Sequence, residues 1–119
     1  MKKILVVEDG EVERELMRMA LEREGYSVVV AEDGVRGFEL AFAERPDLII
    51  TDVWMPAADG VHLVRRVRST PELSSTPILV TTGFGTGSAT LTLVQGADAY
   101  EPKPLDPENL RATVRRLLF

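Results

Sequence analysis

The chain reads as an α/β protein with a parallel sheet. Short β-rich runs alternate with stretches of helical periodicity. The run Leu48-Ile49-Ile50 is apolar throughout, as in a strand covered on both faces. Glycine and proline recur between the segments, as at Gly25, Pro46 and Pro107.

The elements follow in order. The first strand is Lys3 to Val7. The helix after it carries Val12, Leu16 and Met19 at helical spacing, an expected inner face, and Gly25 ends it. Ser27 to Ala31 form the second strand. The second helix runs from near Gly34 to Glu44, with Phe38, Ala41 and Phe42 expected to face inward. Leu48 to Asp52 form the third strand. Asp59-Gly60 opens a helix bearing Val61, Val64 and Val67, and Ile78 to Thr82 form the fourth strand. Beyond it lies a glycine-rich stretch, Gly83, Gly85 and Gly87, and a threonine-rich helix from about Ala89 to Gln95. A short strand from Ala99 to about Glu101 comes next. Pro107 begins the last helix, where a missing N–H costs little, and Leu110, Val114 and Leu117 mark its buried side.

The 119 residues fit one domain, 1–119, large enough to bury a core without covalent staples. There is no cysteine, which excludes disulfides and thiolate metal sites and fits a cytoplasmic setting. Lys2-Lys3 precede an apolar run too short for a signal peptide, and no stretch approaches the roughly 20 apolar residues of a membrane helix. A net charge of −5 argues against direct nucleic-acid binding. Arg65, Arg66 and Arg68 read as a solvated helix face, and His62, the one histidine, as a surface residue.

The chemistry gathers at strand ends. Glu8-Asp9, Asp52, Thr82 and Lys103 each fall at or just past the C-terminal end of a different strand. In open parallel sheets ligands bind at that edge, where strand order reverses. Crowded carboxylates repel unless a cation joins them, and hard oxygen donors suit Mg²⁺. A carboxylate is also a nucleophile toward phosphoryl groups. A phosphoryl group brought to Asp52 would meet the metal, the Lys103 ammonium and the Thr82 hydroxyl.

These residues carry a resemblance. Ile4-Leu5-Val6-Val7-Glu8-Asp9, Asp47-Leu48-Ile49-Ile50-Thr51-Asp52, Met55-Pro56, Asp59-Gly60, Pro77-Ile78-Leu79-Val80-Thr81-Thr82, Gly96-Ala97-Asp98-Ala99-Tyr100 and Lys103-Pro104 stand in the order and spacing of a response-regulator receiver domain of two-component systems. The resemblance covers essentially the whole chain. It implies a flavodoxin-like (βα)5 three-layer sandwich with strand order 2-1-3-4-5. It further implies a phosphorelay switch in which Asp52 accepts phosphate from a sensor histidine kinase or phosphotransfer protein. By the same resemblance Asp9, Asp52 and the Trp54 backbone carbonyl bind Mg²⁺, with Glu8 acting directly or through water. Thr82 and Lys103 bind phosphoryl oxygens, Tyr100 changes rotamer on activation, and the Lys103–Pro104 bond is cis. Such a protein promotes its own phosphorylation and dephosphorylation without being an enzyme with a turnover substrate.

Three features depart from the family pattern. The stretch from Thr82 to Gly96 is one residue short, Gly83 replaces the usual alanine or other small residue, and bulky Trp54 and Phe84 flank the site as candidate water gates. A phosphatase of the haloacid-dehalogenase type is disfavoured, because Trp54 stands where its general acid belongs. A flavin carrier is disfavoured by the acidic loop Glu8-Asp9-Gly10. A binding module that no longer takes phosphate is a third alternative, with little support because every reactive position is filled. The last helix closes the chain, so the sequence fits either a stand-alone regulator or a receiver from a longer protein, with no effector of its own and an unidentified downstream partner.

Overall fold

A computed structural model describes residues 1–55, 59–83 and 95–119. Five strands, β1 Lys3–Val7, β2 Ser27–Ala31, β3 Leu48–Asp52, β4 Ile78–Thr82 and β5 Ala99–Pro102, form one sheet in the order β2-β1-β3-β4-β5. All neighbours are parallel, with Ile4 opposite Leu48, Ile49 opposite Ile78 and Leu79 opposite Ala99. Four helices are described: α1 Glu11–Arg23, α2 Gly34–Glu44, α3 Gly60–Arg68 and α4 Pro107–Leu118. This is the flavodoxin-like, receiver-type arrangement expected from the sequence. The helix expected from about Ala89 to Gln95 lies, apart from Gln95, in segment 84–94, outside the described residues, as does Phe84.

Strand alternation divides the core into two layers. Leu5, Val7, Ile49 and Val80 face α2 and α3, where they meet Ala41, Leu63, Val64 and Val67. Ile4, Val6, Leu48, Ile50 and Leu79 face α1 and α4, meeting Met17, Leu21, Leu110 and Val114. Helix starts follow local chemistry. Asp33 and Asp59 accept hydrogen bonds from the Arg36 and His62 N–H groups at 2.8 and 2.9 Å. Asp106 caps α4, whose first turn holds Pro107. Gly25, at φ +94°, leaves α1 through the left-handed region.

Two inward faces expected from periodicity differ in the fold. On α1, Val12, Leu16 and Met19 are exposed, and Met17 and Leu21 are buried. Both sets obey helical spacing, so periodicity alone does not choose between them. On α2, Phe42 is exposed beneath the Arg45 guanidinium, 4.8 Å from the ring centre. The cause is Gly37. A Cβ there would lie 2.9 Å from Val7, so this face comes closest to the sheet. Gly37 and Ala41 therefore go in, Phe38 stays half-buried and Phe42 turns outward.

Arg68 also departs from a purely solvated face. Its guanidinium donates to the Gly96, Ser74 and Thr76 carbonyls at 2.8, 3.1 and 2.6 Å and to Asp98 Oδ2 at 2.8 Å. The same Asp98 oxygen accepts the Ile78 N–H at 2.8 Å. Arg68 thus ties the end of α3 to the entries of β4 and β5. Arg65, Arg66 and His62 are exposed as expected.

Candidate functional site

Strand order reverses between β1 and β3. The chain leaves β1 toward β2 on one side, while β3 lies on the other. Ligand clefts form at such a point. Val7 stands opposite Thr51, so the next residues, Glu8 and Asp52, become neighbours across the strand ends. Thr82 stands opposite Pro102, and the Lys103 N–H donates to the Thr82 carbonyl at 2.8 Å, which brings Lys103 to the same edge.

The side chains converge. Lys103 Nζ lies 2.6 Å from Glu8 Oε1 and 3.1 Å from Asp52 Oδ2. Glu8 and Asp52 are buried, at 1 % and 6 % exposure, and Thr82 is buried beside them. Asp9 is exposed at the rim. One carboxylate oxygen from each of Glu8, Asp9 and Asp52 lies within 4.8 Å of the others. Among the described residues no other cluster of this kind occurs.

The backbone around the acids is closely held. Glu8 donates its N–H to the Ala31 carbonyl at 3.0 Å, and its Oε2 accepts the Gly10 N–H at 3.2 Å. The Glu8 carbonyl accepts a 2.9 Å bond from Arg14 Nη1. Gly60, at the start of α3, packs on the Asp52 peptide. A Cβ at residue 60 would lie 2.3 Å from the Asp52 carbonyl oxygen, and the Gly60 N–H donates to the Val53 carbonyl at 2.8 Å. Gly60 belongs to the Asp59-Gly60 piece of the family pattern and to the start of a helix, whereas nothing local in the sequence marks Arg14.

Electrostatics follow from the crowding. Asp9 is harder to ionise than an ordinary aspartate. Loss of water on its inner side contributes most, followed by a hydrogen bond with Glu8 and the Glu8 charge, and the Lys103 charge only partly opposes them. Partial burial alone would make Lys103 a weaker base. Hydrogen bonds and charge from Glu8 and Asp52 outweigh that, and its pKa ends above the ordinary lysine value. Three carboxylates and one ammonium carry a formal charge of −2, and their hard oxygen donors suit a small divalent cation.

The remaining expected residues are nearby or partly outside view. Tyr100 is half-buried and packs against the core layer under α2 and α3. Trp54 follows Asp52 by two residues and is 50 % exposed. Gly83 leaves room beside the Lys103 stem, with the nearest atom to a Cβ at 3.7 Å. The Lys103–Pro104 bond is cis.

A five-stranded parallel sheet with an acid triad and a lysine at its switch point defines a signalling receiver. The response regulator receiver domain model matches residues 4–115, and the chain belongs to this family. It is 43 % identical over 117 residues to the response regulator MprA of Mycobacterium avium, covering 98 % of this chain and 50 % of that protein. The chain thus spans about half the length of the curated relatives it matches. Among solved structures, chemotaxis response regulator CheY4 of Vibrio cholerae superposes with a TM-score of 0.93 at 34 % identity, covering 99 % of each chain. The receiver domain of a Pseudomonas aeruginosa sensor histidine kinase, described with a magnesium ion coordinated in its active site cleft, superposes with a TM-score of 0.92 at 28 % identity, covering 98 % of this chain and 97 % of that one. The chain therefore contains a receiver domain of the response regulators of two-component signalling. Among the described residues, no helix is long and apolar enough to cross a membrane.

Proposed function

We propose that residues 1–119 form a single receiver domain that takes a phosphoryl group on Asp52 from a sensor histidine kinase or a phosphotransfer protein. The observation that carries this reading is the 3.1 Å approach of Lys103 to a buried Asp52 beside two further acids. An Asp52 carboxylate oxygen attacks phosphorus as the phosphorus–nitrogen bond of the donor phosphohistidine breaks. The imidazole leaves, and an acyl phosphate forms. In this reading the Lys103 ammonium follows the new charge, and the hydroxyl of Thr82, a buried residue at the end of β4, binds another phosphoryl oxygen.

Asp9, Asp52 and the Trp54 carbonyl are the direct Mg²⁺ ligands in this reading. When bound, the ion supplies charge neutralisation for a transfer that depends mainly on positioning. Both Glu8 oxygens are already engaged, by Lys103 and by the Gly10 N–H, which favours contact with the metal through water. Tyr100, one strand position beyond Ala99, transmits the change at Thr82 to the output face.

The partner reading rests on α1. Val12, Leu16 and Met19 are exposed there, and a groove of about 530 Å³ runs between α1 and α4 past Leu16, Met17, Leu105 and Leu110 to Glu8 and Lys103. Its apolar walls and charged end suit an amphipathic partner helix presenting a phosphohistidine. The downstream partner is a protein or an effector domain, and the cytoplasm is the setting in which such a kinase would present its phosphate.

Incubation with acetyl phosphate and Mg²⁺, read by intact-mass spectrometry, tests the function. Wild type should gain one phosphoryl group and Asp52→Asn none. No gain in wild type would favour a binding module that does not use phosphate.

A further inference from the structure

We propose that Arg14 is a positioning residue for the metal site. It sets the Glu8–Asp9 peptide so that the Asp9 carboxylate meets the cation. The inference rests on the Mg²⁺ reading above.

Arg14 lies in the first turns of α1 and is half-buried. Its Nη1 donates to the main-chain carbonyl of Glu8 at 2.9 Å, six residues back. That carbonyl belongs to the peptide joining the two acids. The Glu8 N–H is held by Ala31, and the Glu8 side chain by Lys103 and Gly10. The Glu8 carbonyl is a further handle on this turn, at the peptide that leads into Asp9, and Arg14 holds it. Asp9 is exposed, and rotation of its preceding peptide would swing its carboxylate away from Asp52. The neighbouring Arg18 has a different task. It pairs with Glu15 and Glu22 on the outer face of the same helix.

Charge and position predict opposite signs. Arg14 places a positive charge near a cation site, so on Coulomb grounds its removal should tighten Mg²⁺ binding. If its main effect is to orient the turn, removal should weaken binding. Residues that orient metal ligands typically contribute 10- to 100-fold in affinity. Arg14 acts one bond further back, through the backbone, so a loss of about tenfold is expected.

The experiment titrates Mg²⁺ at constant ionic strength and follows Trp54 fluorescence, with isothermal calorimetry as a second readout. Wild type, Arg14→Ala, Arg14→Lys and Arg18→Ala are compared, each shown to be folded in EDTA by circular dichroism. Arg14→Ala should bind about tenfold more weakly. Arg14→Lys, which keeps one donor, should fall between it and wild type, and Arg18→Ala should match wild type. If Arg14→Ala does not fold, the Arg14→Lys comparison decides. Unchanged or tighter binding in the Arg14 variants, or an equal loss in Arg18→Ala, overturns the inference. Absence of Mg²⁺ binding by wild type overturns the metal reading along with it, so the two failures are distinguishable.

Discussion

Glu8 and Lys103 are 95 residues apart in sequence and 2.6 Å apart in space. The pair joins the first strand's exit to the last strand's exit and closes the site from both ends of the chain. Glu8 is buried at 1 % exposure, and a carboxylate taken out of water needs a partner of this kind to offset its lost hydration.

Removing the partner should therefore destabilise the metal-free protein. Lys103→Met leaves the Glu8 and Asp52 carboxylates facing each other with no ammonium between them. Breaking a buried pair from one side costs roughly 3–5 kcal/mol, and the partial exposure of Lys103 places this case near the lower bound. Urea unfolding in EDTA measures it. A loss below the error of the method would mean that Lys103 contributes nothing structural.

Asp9 should show the opposite behaviour. Its folded-state pKa is raised, so its contribution to stability is present below the unfolded value, near pH 4, and is lost as pH rises through the folded value. In EDTA, Asp9→Asn should melt higher than wild type at pH 7, and the gap should shrink as pH falls toward 4. Added Mg²⁺ should raise the melting temperature of wild type and leave that of Asp9→Asn unchanged. Thermal scans across pH check both, and a Mg²⁺ shift that survives the substitution would place the metal elsewhere.

Gly60 is expected to tolerate no side chain. In Gly60→Ala the Cβ meets the Asp52 carbonyl at 2.3 Å and the Val53 Cα at 2.9 Å, both backbone atoms that cannot rotate away. A loss of about 1–3 kcal/mol is expected, with slower phosphorylation because Asp52 itself is displaced. Normal acetyl-phosphate kinetics in a destabilised Gly60→Ala would limit the glycine to packing.

Tyr100 should change rotamer when a beryllofluoride phosphate mimic binds at Asp52. Shifting a conformational equilibrium from 1:99 to 99:1 needs about 5.5 kcal/mol. A few charge-assisted hydrogen bonds to the phosphoryl oxygens, at roughly 1.5–3 kcal/mol each, are sufficient. Crystal structures with and without the mimic make the comparison, and one shared rotamer would uncouple Tyr100 from the site.

Trp54 is expected to slow hydrolysis of phospho-Asp52 by keeping water from the line of attack. Trp54→Ala should decay severalfold faster at saturating Mg²⁺ with unaltered Mg²⁺ affinity, because the proposed ligand at this position is a backbone carbonyl. Phe84→Ala is the companion test. Equal decay rates in wild type and both variants would show that neither ring gates water.

Strand positions and the gathering of acids at one edge were legible in the sequence for a local reason. Buried parallel strands are continuous apolar runs, and each must end in a turn at the same sheet edge, so Glu8-Asp9, Asp52, Thr82 and Lys103 could be placed there from the chain alone. Helix starts at Asp33, Asp59 and Asp106 rest on equally local capping chemistry. Helix faces were a different matter. On α1 the set Val12, Leu16, Met19 and the set Met17, Leu21 both keep helical spacing, and only docking against the sheet buried the second. Gly37 turned α2 by permitting close approach to Val7, a contact between separate elements. The hold of Arg14 on the Glu8 carbonyl and three of the four acceptors of Arg68 depend on where backbone oxygens of other elements come to lie. Such oxygens are the same in every residue, so no side-chain pattern in the sequence marks which of them an arginine will find.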